Sequence, residues 1–249
     1  MRNWTREEEI VVFDLYCKIP FKKSSKNHPE VIRIAKIIGR TPSSVNMKIG
    51  NFGSFDDNLK RQGIVGLTNA SKLDEEIWNE FNKRWDELSF ESAQIISQKM
   101  SESTSLLDSM KIPLGKENIV TIKQRVNQSF FRSAVLASYH GECCITGLSI
   151  PEMLIASHIK PWKDSTEAEK TNPRNGLCLN ALHDKAFDKG YITVRPNGEI
   201  LLSKELKKSN SEVLQKFFLC YEGQKIQLPD KFLPDKTFLE YHNDVIFEK

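Results

Sequence analysis

The chain has 249 residues, with 36 Lys+Arg against 33 Asp+Glu for a formal net charge of +3, and is 39% hydrophobic and 28% charged. These values sit in the globular range, so wholesale disorder and a fibrous repeat are excluded, and the length admits one large domain or two modest ones. Apolar runs such as Ile10 to Phe13 span only a few residues, whereas a membrane-crossing helix needs about 20. The opening Met1 to Glu9 has no apolar core and no small-residue cleavage site, so no secretory leader is expected. Cys17, Cys143, Cys144, Cys178 and Cys220 form no CxxC pair. They read as reduced thiols of a cytoplasmic protein.

Charge is unevenly spread. Residues 1–60 carry 11 Lys/Arg against 7 Asp/Glu, and residues 116–139 carry 4 against 1, which suits two contacts on a polyanion. In residues 1–60, Trp4-Thr5-Arg6-Glu7-Glu8 predicts a helix start, with Thr5 capping and Glu8 closing a capping box. Pro20 ends that helix. Pro29 opens a second, carrying Val31, Ile34, Ala35 and Ile38 at helical spacing, and Gly39 closes it. Thr41 and Pro42 open a third, with Val45, Ile49 and Phe52 facing inward and Arg40, Ser43, Ser44, Asn46, Lys48 and Asn51 left outside. Three short helices ending in a polar, basic one are the layout of a helix-turn-helix reader. Arg40, Ser43, Ser44, Asn46 and Lys48 would then reach phosphates and base edges of double-stranded DNA. The alternative is a purely structural helical bundle. Trp-Thr-x-x-Glu-Glu and Gly-Arg-Thr-Pro-x-x-Val also resemble Myb/SANT-type modules.

Residues 61–115 read as a helical connector and linker. A helix is expected from Leu73 to Leu88, with Ile77, Trp78, Phe81, Trp85 and Leu88 as its stripe, a core or dimer surface. The Ser-rich stretch 97–115, closed by Pro113 and Gly115, reads as the linker proper. Residues 119–139 read as another helix, and short strands and turns follow from Gly141. Met153 to Ile159 is expected as a strand ending near His158. A polar loop leads to a second short strand at Asn175-Gly176-Leu177-Cys178-Leu179. Asn180 then caps a helix from Ala181 to about Asp188 that carries His183 in its first turn.

This order resembles the HNH nuclease family and its ββα-metal fold. The matching pieces run from Arg125 to Gly190: Tyr139 to Gly147, Ala156-Ser157-His158-Ile159-x-Pro161-Trp162, Asn172-Pro173-Arg174-Asn175-Gly176-Leu177, and Leu182-His183-x-x-Phe187-Asp188-x-Gly190. The resemblance implies an α+β protein of three parts. These are a three-helix recognition module at 1–60, a connector at 61–115 and an HNH nuclease domain at 116–249. It implies a site-specific endonuclease of the restriction type, acting on double-stranded DNA as a homodimer with no membrane association. His158 would be the general base and Asn175 would stitch the loop that orients it. His183 would ligate one divalent cation, Mg²⁺ or Mn²⁺, and Lys160 and Arg174 would touch phosphate. A methylated or hydroxymethylated cytosine target is open by the same analogy.

The sequence departs from the family in two places. Many relatives have Asp before the first His, and here that position is Ser157. One protein ligand with water and phosphate oxygens is therefore the expected shell; Asp184 is the less favoured second ligand, and Asp188 is read as structural. The CxxC knuckles of some relatives are missing, so structural zinc is not expected. The rival readings are a DNA-binding regulator with a decayed site, a homing or mobile-element nuclease, and an RNase or toxin effector.

Overall fold

A computed structural model describes residues 2–67, 69–104, 116–208 and 211–248. The chain divides into two compact units, Met1–Ala134 and Val135–Lys249.

In the first unit, α1 (Arg6–Lys18) opens with the Thr5–Glu8 capping box. Every residue from Glu8 to Cys17 is buried, as expected of a central helix enclosed on all sides. Around it pack α2 (Pro29–Ile38), α3 (Pro42–Gly53), α5 (Lys72–Phe81) and α6 (Trp85–Thr104), with the short α4 (Asp57–Arg61) after α3. Gly39 ends α2 in the left-handed conformation at φ 65°, which favours glycine, and Thr41 caps α3 above Pro42. Phe13 forms the aromatic centre, within 4.8 Å of the Phe52 ring, 5.2 Å of Trp78 and 6.2 Å of Trp85.

Two expectations fail here. The helix expected over Leu73–Leu88 is broken after Phe81, and Lys83 adopts φ 81° in the turn. The break lets Ile77, Phe81, Trp85 and Leu88 all reach the core, where each is at most 1% exposed. Those four residues belong to the core of the first unit, one of the two readings given for the stripe, and Trp78 is half-buried. The linker expected over 97–115 begins later than expected, because α6 continues to Thr104; the rest of that stretch, 105–115, lies outside the described residues.

Helix α7 (Lys116–Ser138) carries the chain across the division between the units. In the second unit, β1 (Leu154–His158) pairs antiparallel with β2 (Gly176–Asn180), setting Leu154 opposite Asn180 and His158 opposite Gly176. The connection holds α8 (Glu167–Thr171), and α9 (Ala181–Asp188) follows β2 directly and packs on both strands. Beyond it, β3 (Ile192–Val194) pairs with β4 (Ile200–Leu202), and α10 (Lys204–Lys207), α11 (Glu212–Phe217) and α12 (Lys236–Tyr241) complete the unit. The described helices of the first unit and the two small sheets of the second together make an α+β chain. No helix among the described residues is long and apolar enough to cross a membrane.

The C-terminal residues fasten α9. The His242 ring stacks on Phe187 at 3.7 Å and donates from Nε2 to the Phe187 carbonyl at 3.1 Å, while Nδ1 meets the Thr193 hydroxyl at 2.8 Å. Burial pushes this imidazole down to about 4, so it is neutral at pH 7. At Gly190, φ is 71° and a Cβ would stand 2.1 Å from the Ile246 carbonyl oxygen, so only glycine fits.

Candidate active site

His158 ends β1, and successive residues of a strand face opposite ways, so Ser157 and His158 lie on different sides of it. The His158 Nε2 stands 2.9 Å from the Lys170 carbonyl at the end of α8. A carbonyl oxygen only accepts, so Nε2 carries the hydrogen and the lone pair of the neutral ring is on Nδ1. Trp162 meets the ring edge-on at 5.4 Å. Burial pushes the imidazole below its ordinary value, opposed by the Lys170 carbonyl.

Asn175 is fully buried at the entrance to β2. Its Oδ1 accepts from the Lys160 N–H at 2.8 Å, and its Nδ2 donates to the carbonyls of Lys160 at 3.2 Å and Glu169 at 3.3 Å. Its own carbonyl accepts from the Ile159 N–H at 2.9 Å. The side chain thus ties residues 159–160, just past His158, to residue 169, next to the carbonyl that holds His158.

His183 lies in the first turn of α9. Asn180 Oδ1 accepts from the His183 N–H and from Nδ1, each at 3.0 Å, which places the ring hydrogen on Nδ1 and the lone pair on Nε2. That Nε2 is buried without a hydrogen bond. The ring is only 2% exposed, with Phe218 at 5.2 Å and Tyr221 at 5.6 Å. Burial pushes it below its ordinary value, opposed by the Phe217 carbonyl.

Asp184, the next residue, is half-buried. Burial raises its carboxyl and the charge of Asp188 adds to this, while the Ser157 hydroxyl acts to lower it. Ser157 is 2% exposed, and its Oγ makes no well-formed hydrogen bond. The buried His183 Nε2, which makes no hydrogen bond, is a donor a divalent cation could take. Among the described residues no group of three or more His, Cys, Asp or Glu is placed to hold a metal.

The phosphate candidates differ in availability. Lys160 Nζ is paired with Glu169 at 2.8 Å and lies 5.5 Å from the Tyr241 ring centre. Arg174 has a buried Nε without a hydrogen bond. In the first unit, Arg40, Ser44 and Lys48 line a hollow of about 710 Å³ beside Trp4. Arg40 is nonetheless held by Glu8 at 2.7 Å, by the carbonyls of Arg2 at 2.9 Å and Asn3 at 2.5 Å, and over the Trp4 ring at 4.5 Å.

Lys48 and Asn51, expected outside, are buried. The reason is that α3 packs against both α1 and α5, and each supplies a carboxylate. Lys48 Nζ reaches Glu9 at 2.7 Å and Asp74 at 2.5 Å, and Asn51 Nδ2 donates to Asp74 at 3.0 Å. Burial raises Glu9 to about 7. Ser43 is exposed on α3, and Asn46 accepts a hydrogen bond from the Ser24 hydroxyl at 2.6 Å.

Residues 143–195, about a fifth of the chain, match the family model described as HNH endonuclease. The match spans β1, the Asn175 loop, β2, α9 and β3, so an HNH-family domain lies within the second unit. No curated protein matches the chain. The sequence alone did not signal the Lys170 carbonyl, a backbone group, or His242, which lies far from α9 in the chain. The Ser157–Asp184 approach also needed the pairing of α9 with β1 to become visible.

Proposed function

We propose that this chain is a divalent-metal-dependent endonuclease that hydrolyses phosphodiester bonds of double-stranded DNA. The observation that carries the reading is His158, a neutral imidazole fixed by the Lys170 carbonyl at a strand end inside the HNH match. In the proposed reaction, His158 Nδ1 takes a proton from water as the water oxygen attacks phosphorus. The bond to the 3′ oxygen then breaks. Asn175 keeps the loop in register and so holds the His158 ring at its angle. Arg174, in the loop beside Asn175, is the proposed contact to a phosphate oxygen. A bound Mg²⁺ or Mn²⁺, held from α9 with His183 as the donor implied by the family pattern, would polarise the phosphate and stabilise the leaving oxygen.

The helical first unit is proposed to recognise the DNA. There Ser43, Ser44 and Asn46 are the residues of α3 offered to it, and Arg40 and Lys48 act as struts. Restriction of foreign DNA is the biology that joins a reader to a cutter most directly. Two cuts in a duplex need two active sites, so the working form is proposed to be a homodimer. A regulator with a decayed nuclease site is the second reading, favoured by Ser157 in place of a carboxylate and by the enclosure of His183 under Phe218 and Tyr221.

The test is cleavage of plasmid and phage DNA bearing unmodified, methylated or hydroxymethylated cytosine, with Mg²⁺, Mn²⁺ or EDTA. Discrete metal-dependent fragments that vanish with His158→Ala support the nuclease. DNA binding without cleavage on every substrate supports the regulator.

A further inference from the structure

We infer that Trp162 and Lys170 are positioning residues for the proposed base: the Trp162 ring sets the plane of the His158 imidazole, and the Lys170 ammonium holds the Trp162 ring in place. The inference deepens the nuclease reading and rests on it.

The second side-chain torsion of a histidine is broad, and a hydrogen bond accepts a spread of angles. The 2.9 Å bond from His158 Nε2 to the Lys170 carbonyl therefore leaves the plane of the ring to further contacts. That plane decides where the lone pair of Nδ1 points, and Nδ1 is the atom that takes the proton in the proposed reaction. Trp162 supplies such a contact. The two rings stand 5.4 Å apart at 86°, the edge-to-face arrangement that ring quadrupoles favour, and rocking of the imidazole takes it off that geometry.

Trp162 is itself held from two sides. Its backbone lies in the turn Trp162–Asp164 behind Pro161, where the Ser165 hydroxyl donates to the Pro161 carbonyl at 3.0 Å. Its ring carries the Lys170 ammonium 5.1 Å from the ring centre, within cation–π range. Lys170 is thus engaged twice. Its carbonyl takes the Nε2 hydrogen of His158, and its ammonium sits on the ring that meets His158, so the contacts close a circuit through the three residues. The circuit matters because α8 is only five residues long, too short to hold its own shape in water. The carbonyl near its end is placed by whatever anchors the turn. The ammonium also pairs with Glu167 at 2.7 Å, but that carboxylate is 81% exposed and such a pair contributes little. With 18% of its side chain exposed, Lys170 lies against protein rather than reaching outward as a phosphate contact would.

The test is a double-mutant cycle, read by single-turnover cleavage of plasmid DNA by the full chain with saturating Mn²⁺. Trp162→Leu, which keeps apolar bulk, should slow the parent about 10- to 100-fold, the scale of a reacting group misplaced by about an ångström. In the His158→Ala background it should slow cleavage by less than about twofold, because no ring is left to orient. Trp162→Phe should return the rate to within about threefold of the parent, since an aromatic face remains. Lys170→Met keeps the carbonyl and removes the ammonium; it should slow the parent about 3- to 10-fold, and Lys170→Arg should restore the rate. Equal slowing in both backgrounds would overturn the inference, for Trp162 would then act on the DNA or on the fold; so would a Trp162→Leu rate within about twofold of the parent. Nitrogen-15 NMR of the histidine-labelled chain, with His158 identified by its loss in His158→Ala, needs no cleavage. The parent should carry the ring hydrogen on Nε2, and Trp162→Leu should show both tautomers, because a rocking ring leaves the Lys170 carbonyl part of the time. An unchanged His158 spectrum would also overturn the inference. A parent that cuts no DNA but shows the change of tautomer defeats the nuclease reading and leaves the Trp162 contact standing. Cleavage by the parent with the same His158 tautomer in Trp162→Leu does the reverse.

Discussion

Replacing Asn175 with Ala tests the link between the loop and the base. The side chain is fully buried and joins three backbone groups. The Lys160 N–H loses its 2.8 Å acceptor and is left inside the protein, at a cost of about 1–3 kcal/mol. The carbonyls of Lys160 and Glu169 lose longer bonds of 3.2 and 3.3 Å, which together add roughly 1 kcal/mol. The expected loss is therefore about 3 kcal/mol, measured by urea unfolding followed through tryptophan fluorescence. Because Glu169 adjoins the Lys170 carbonyl that fixes His158, the rate of cleavage should also fall, by about 100-fold, the lower end of what a positioned base contributes. A loss of stability below about 1 kcal/mol, or full activity in the folded variant, would refute this account of the loop.

Four further outcomes are expected. Lys48→Met leaves Glu9 and Asp74 facing each other in the core without their cation and should destabilise the chain by about 3–5 kcal/mol in urea unfolding. Glu9, raised to about 7 by burial, binds its proton more tightly folded than unfolded, so its share of stability is present in acid and is lost as pH rises from about 4.5 to 7; Glu9→Gln should flatten that part of a stability–pH curve. Gly190→Ala sets a methyl against the Ile246 carbonyl at a left-handed φ and should cost several kcal/mol, seen as a lower melting temperature or insoluble protein. The cleavage rate should rise with pH as His158 deprotonates and level off below the ordinary histidine value of about 6.5, because burial favours the neutral ring; a midpoint above 7 would remove His158 as the base.

Much of the local structure was legible because end signals are short-range. Thr5 with Glu8, Pro29 with Gly39, Thr41 with Pro42, and Asn180 before Ala181 each satisfy backbone groups within a few residues, and each marks a helix end as found. The order His158, loop, Asn175, strand, His183 was likewise local. What stayed hidden depends on chain segments far apart. Lys48 is drawn inward by carboxylates 39 and 26 residues away, so a basic residue on a short helix read as surface. The break at Lys83 follows from packing around Phe13, which the continuous apolar stripe disguised. His242 grips Phe187 from 55 residues away.

The most direct test of the account is single-turnover cleavage of duplex DNA at pH 7.5 with saturating Mn²⁺, comparing the parent chain with His158→Ala. The account predicts cleavage by the parent and a rate lower by about 10²–10⁴ in the folded variant, the range a general base contributes. Equal rates in the two proteins would contradict it.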